Sequence, residues 1–98
     1  MKLRLAFLPE AEAELDEAIS WYARQKKGLG KRFAKDVKAR LKAIQKTPKM
    51  HAVVLDDVRK ATMQDFPYII LYVVTSDEIV VVAVFHTKRD PDEWKSQL

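Results

Sequence analysis

Arg59-Lys60-Ala61-Thr62-Met63-Gln64-Asp65-Phe66-Pro67-Tyr68-Ile69-Ile70-Leu71-Tyr72, followed after a polar turn by Ile79-Val80-Val81-Val82-Ala83-Val84-Phe85-His86-Thr87-Lys88-Arg89-Asp90-Pro91, is the part of the chain that decides the fold. Arg59 to Met63 alternates weakly and reads as a strand that Pro67 interrupts. Tyr68 to Val74 is β-branched and aromatic, a composition that fits a pleated, half-buried surface. Thr75-Ser76-Asp77-Glu78 supplies the residues of a hairpin turn. Ile79 to Phe85 is apolar on both parities, so the strand is buried on both faces or leaves one face for a partner. Arg59, His86 and Arg89 thereby fall at strand ends, where a rigid sheet can present chemistry.

Upstream, Leu3, Leu5 and Phe7 alternate with Arg4 and Ala6 and predict a first strand. Pro9 then suits the first turn of a helix, where its missing N–H is no loss. The carboxylates after it favour the positive helix end. Ala11, Leu15, Ala18, Ile19 and Tyr22 recur at helical spacing, and Leu29, Phe33, Val37, Leu41 and Ile44 form a second stripe. Gly28 and Gly30 separate the two runs, and Thr47-Pro48 ends the second. The segment from Lys49 to Asp57 reads as a short strand or an extended loop, with Asp56-Asp57 as a turn. The expected fold is α+β, in the order β-α-α-β-β-β, with a helical hairpin packed on one face of a mostly antiparallel sheet. Residues 1–98 suit a single domain.

The chain carries a net charge of +4, unevenly distributed. Glu10, Glu12, Glu14, Asp16 and Glu17 make an acidic block on the first helix. A basic block follows, Arg24, Lys26, Lys27, Lys31, Arg32, Lys35, Lys38, Arg40, Lys42, Lys46 and Lys49, opposed only by Asp36. Such a block can meet phosphate or an acidic partner, or it is a solvated helix face that serves solubility. Opposite charges on the two helices are expected to face each other in part, at roughly 0.2–1 kcal/mol per exposed pair. The absence of cysteine excludes disulfides and thiolate metal sites and fits a reducing, cytoplasmic setting. The apolar N-terminal run is short and broken by Arg4, so it reads as a strand rather than a secretion signal. No run is long and apolar enough for a membrane span.

His51 and His86 are the only histidines, and neither has metal-ligand spacing, so no metal or cofactor is expected. RNA cleavage needs a proton acceptor, a proton donor and cations for the charge on phosphorus. His86 is the residue suited to proton transfer, Arg59, Lys60, Lys88 and Arg89 can hold phosphate, and Tyr68 and Tyr72 can stack on bases. Equally, Tyr68 and Tyr72 share a parity and can simply pack on one sheet face. His86 can cap the last strand, and Arg89 can pair with Asp90 or Asp92. Trp94 reads as a packing residue or as part of a partner surface. Trp21, beside Tyr22 and off the main apolar stripe, has the same two readings: it covers the groove between the helices or belongs to a partner surface.

The ordered set of Pro9, Ala18-x-x-Trp21-Tyr22, the glycine break, Phe33, Leu41, Ile44, Pro48, Arg59, Phe66-Pro67-Tyr68, Tyr72, Ala83-Val84, His86, Arg89 and Trp94 resembles the RelE/ParE superfamily of toxins across nearly the whole chain. That resemblance implies the toxin of a type II toxin–antitoxin pair, a hetero-oligomer with a cognate antitoxin that wraps it with a helix and an extended segment. RelE-like members are ribosome-dependent mRNA endoribonucleases, and ParE-like members inhibit DNA gyrase. The chain lacks a tyrosine near its C-terminus and a lysine cluster on the sheet strands, and its Phe-Pro-Tyr and His-x-x-Arg-x-Pro-x-x-Trp elements look ParE-like.

The resemblance therefore implies a gyrase inhibitor, with growth arrest on expression and a role in plasmid stabilization. No catalytic residue is required. Its target and partner surface would draw on Lys35, Lys38, Lys42, Arg59, Tyr68, Tyr72, His86, Lys88, Arg89 and Trp94. The alternative is an endoribonuclease using Arg59, His86 and Arg89 on the ribosome and mRNA. A third reading is a non-toxic homologue that binds antitoxin alone.

Overall fold

Strand alternation at the N-terminus gives β1 (Arg4–Phe7), and Pro9 opens α1 (Pro9–Gln25) with Glu10 and Glu12 in its first turn. The computed structural model describes residues 3–89, and Trp94, Asp90 and Asp92 lie outside them. α2 (Leu29–Lys46) follows a single break at Gly28, whose φ of 84° is left-handed and suits glycine. Gly30 does not break the chain as the sequence suggested. It lies inside α2, where a Cβ would stand 2.8 Å from the Ile19 carbonyl oxygen and 2.9 Å from the Ala23 Cβ. Its task is close helix–helix approach.

The rest of the chain is a meander: β2 (Val53–Leu55), β3 (Val58–Thr62), β4 (Tyr68–Val74) and β5 (Glu78–His86). Asp56, at φ 50°, makes the tight turn between β2 and β3, a conformation aspartate tolerates better than bulkier residues. The sheet order is β1-β5-β4-β3-β2, antiparallel except where β1 runs parallel to β5. The α+β hairpin-on-sheet architecture is therefore the one the apolar periodicities predict, but four strands and not three follow the helices, because the segment that read as a short strand or a loop forms β2 at the sheet edge. Gln45 ties α2 to the first strand by donating to the Leu3 carbonyl at 2.8 Å.

The core between helices and sheet contains Phe33, Val37 and Ile44 from α2, Ala11, Ala18 and Tyr22 from α1, and Ile70, Tyr72, Ile79, Val81 and Val84 from the sheet. A second apolar cluster on the other sheet face holds Val58, Leu71, Val82, Ala83 and Phe85. β5 is thus buried on both faces, one of the two arrangements its composition allowed. Neither helix buries its charges against the other. Among the described residues, the ion pairs are Arg4–Asp77, Arg32–Asp65 and Arg89–Glu14, none of them between α1 and α2. The expected facing of acidic and basic helices does not occur, because the contact is made by Tyr22, Phe33 and the close approach at Gly30.

One irregularity orients the end of β5. Leu71 pairs with Ala83, but Tyr72 pairs with Val81, so β5 carries one extra residue at Val82. Ile79 and Val81 face the helices on odd positions. After the bulge the even positions Val84 and His86 take over that face, as one inserted residue demands in a period-two strand.

Candidate functional site

β1 stops at Phe7, opposite Val81, while β5 continues to His86. After Leu8 donates its amide to the Val81 carbonyl at 3.0 Å, the chain leaves the sheet for α1. The outer edge of β5 beyond that point faces α1 across an open groove of about 640 Å³. Its floor is Ala18, Tyr22, Tyr68 and Val84. Glu14, Glu17 and Trp21 form one wall, and Pro67, His86 and Arg89 the other.

The edge is not left bare. Glu14 accepts the Val84 amide on Oε1 at 3.1 Å, and its Oε2 lies 3.9 Å from the Arg89 guanidinium. A helix carboxylate thus satisfies a strand amide that no neighbouring strand reaches. Arg89 also lies over the Phe85 ring, 4.7 Å from its centroid, a favourable position against the ring quadrupole. The His86 Nδ1 accepts the Lys88 backbone amide at 3.0 Å, so the ring closes the turn after β5. The His86 and Tyr68 rings meet in a T-shaped arrangement with centroids 5.0 Å apart. Burial, then the Tyr22 hydroxyl, push the Tyr68 phenol above its usual 10.0, an effect that Arg89 opposes. Tyr68 is accordingly a neutral hydrogen-bonding and stacking surface at physiological pH, and no general base.

The candidates from the sequence separate into distinct places. Tyr68, His86 and Arg89 meet in the groove, with Lys88 on the exposed turn beside them. Arg59 and Tyr72 do not join them. Arg59 donates to the Lys49 and His51 carbonyls at 3.0 and 2.7 Å, and the Tyr72 hydroxyl donates to the Pro48 carbonyl at 2.7 Å. Tyr72 is fully buried, so it is a core residue and not a contact surface. Burial raises its phenol pKa although Arg59 opposes the shift. Arg59 opposes Tyr72, whereas His86 opposes Tyr68, four residues along β4. Those rows are about 13 Å apart along the strand, with about 10 Å more across two strand spacings. Lys35, Lys38 and Lys42 lie exposed on α2, away from the groove lining.

Trp21 lines this groove and is 49% exposed. Of its two readings, the packing one does not hold between the helices, where Tyr22 and Phe33 fill the contact, and its exposed ring is available to a partner. Glu14, Glu17 and Arg24 are charged residues of the groove that sequence reasoning did not single out as site residues. The signal of the two glutamates was present: Glu14, Glu17, Ala18 and Trp21 recur at helical spacing beside the apolar stripe. Among the described residues no group of three or more His, Cys, Asp or Glu side chains forms a metal-binding cluster, and no helix is long and apolar enough to cross a membrane.

A family model described as "ParE toxin of type II toxin-antitoxin system, parDE" matches residues 5–91. Among curated proteins none matches. Of solved structures, a chain of the chromosomal ParDE toxin–antitoxin system from P. aeruginosa superposes with a TM-score of 0.75 at 20% identity, covering 89% of this chain and 98% of that one. The E. coli toxin RelE, as a mutant in the free state, superposes with a TM-score of 0.64 at 18% identity, covering 99% and 94%. At these identities the likeness is one of fold.

Proposed function

Since the chain belongs to the ParE toxin family of type II toxin–antitoxin systems, we propose that it inhibits DNA gyrase and that a cognate antitoxin neutralises it by docking in the α1–β5 groove. The observation that carries the docking reading is the groove itself. It joins an apolar floor, a half-exposed Trp21 and the stretch of β5 edge beyond the end of β1, which the movable carboxylate of Glu14 caps at Val84. A partner segment can bury side chains on such a floor and pair its backbone with such an edge. Support for gyrase comes from the family match and from the dispersal of the alternative site. Of the three residues of the ribonuclease reading, His86 and Arg89 share the groove, whereas Arg59 is engaged with two main-chain carbonyls on another row of the sheet.

The test is a supercoiling assay with purified gyrase, titrated with this protein alone and with its antitoxin. The expected result is inhibition by the toxin and relief by equimolar antitoxin. A folded protein without effect on gyrase, but able to cut mRNA on translating ribosomes, would transfer the function to the ribonuclease reading. Failure of both, with antitoxin still bound, would identify a non-toxic homologue.

A further inference from the structure

The strongest charged surface that the groove leaves unused is the solvent side of α2. Lys31, Lys35, Lys38, Lys42 and Lys46 recur along it at helical spacing, and all are exposed. At 3.6 residues per turn they fall within an arc of about 80°, and at 1.5 Å per residue the ladder is about 22 Å long. Among the described residues, none of these lysines enters an ion pair. Asp36, the one carboxylate on the helix, turns instead into a small hollow beside Arg40 and Asp65. The buried side of α2, with Phe33, Val37, Leu41 and Ile44, fixes the rotation that presents the ladder outward.

A ladder of lysines alone is poorly suited to a protein partner. Interface cores draw on aromatic and apolar anchors, and lysine is depleted there. The ladder also has no exposed aromatic ring on which bases of a single strand would stack. Duplex DNA, by contrast, offers about one negative charge per 1.7 Å of axis, and contacts to it need only cations.

We propose that α2 is a DNA-backbone ridge: the protein binds double-stranded DNA through the phosphates, without reading sequence. Phosphate contacts set position and orientation but carry no sequence information, and the side chains of α2 able to read bases are engaged off the ladder: Arg32 pairs with Asp65, Arg40 lines the hollow beside Asp36, and Gln45 donates to the Leu3 carbonyl. The assignment does not depend on the gyrase reading, because its test contains no gyrase.

The experiment is fluorescence anisotropy of a labelled random-sequence duplex with the purified protein across a salt series. Full engagement of the ladder gives a log–log salt slope approaching about −4.5, at −0.9 per neutralised phosphate. The triple variant Lys35→Gln, Lys38→Gln, Lys42→Gln should lower the steepness by about 2.7 on the same scale. A control, Lys26→Gln, Lys49→Gln, Lys60→Gln, removes equal charge at exposed positions off the ladder and should keep the wild-type slope. Circular dichroism and thermal melts verify that both variants are folded. Equal losses in the two variants would reduce the effect to net charge and overturn the ridge. So would absence of binding at low salt, or competition by polyglutamate as effective as by unlabelled duplex at matched charge. That last result would assign the ladder to an acidic protein.

Discussion

Arg59 shows how a residue that reads as a phosphate ligand in sequence becomes structural in three dimensions. A strand-end arginine looks the same in one dimension whether it meets a substrate or the chain's own carbonyls. The deciding fact is the path of the loop after α2, which brings Lys49 and His51 over β3. Arg59→Gln should therefore destabilise the fold by roughly 1.5–3 kcal/mol, the range for hydrogen bonds to a charged group. The readout is a lower urea midpoint at unchanged m-value. His51 lies against the same clamp. Burial first, then Arg40 and Arg59, hold its pKa below the usual 6.5. As pH falls, the unfolded chain takes up this proton before the folded one. The stability contributed by neutral His51 is thus complete above about 6.5 and is lost as pH drops from there through the lowered value. Thermal unfolding at neutral and mildly acidic pH should show a smaller acid loss in His51→Gln than in the parent. Equal losses would remove His51 as the source.

The helices were legible because each carries a complete periodic signal, and the long strands because their runs are β-branched and apolar between turn residues. Phe33, Val37, Leu41 and Ile44 are all buried as the stripe on α2 requires, and the β4–β5 hairpin follows from composition and turn residues. Less was legible where a residue's role depends on what crosses it. Gly30 looked like a helix breaker but marks the contact of two helices. Gly30→Ala gains helix propensity of about 0.5–1 kcal/mol. Its new Cβ, however, would meet the Ile19 carbonyl, a backbone atom with little room to yield. A net loss of about 1–3 kcal/mol, typical of overpacking, should appear as a lower melting temperature. A stabilised variant would show that the hairpin can open at little cost. The short β2 strand was ambiguous for a related reason: Val53 and Val54 are exposed at the sheet edge, where burial does not mark a strand face.

At the scale of the molecule, the residues that the sequence singled out lie on surfaces that do not meet: Tyr68, His86 and Arg89 line the groove, Arg59 and Tyr72 sit on another row of the sheet, and Lys35, Lys38 and Lys42 lie on α2. The groove needs α1 laid against the free end of β5, a relation set by the early termination of β1 and invisible to local pattern. Trp21 is the exposed aromatic on its wall. Trp21→Ala should weaken antitoxin binding by about 1–3 kcal/mol, as loss of an interface anchor does, without changing the melting temperature by more than a surface substitution would. Calorimetric titration with the antitoxin measures the first and a thermal melt the second. Unaltered affinity would move the docking site elsewhere. The extra residue at Val82 has a consequence of another kind. Which side chains of β5 reach the groove is set by a count of residues along the strand as well as by their identities. A relative of equal length that paired β5 with β4 without the bulge would retain the letters Val-Phe-His yet turn Phe85 toward α1 and His86 away from it. Point substitutions along β5 would leave that arithmetic untouched, so comparison of sequences by residue type alone would pair positions that look in opposite directions.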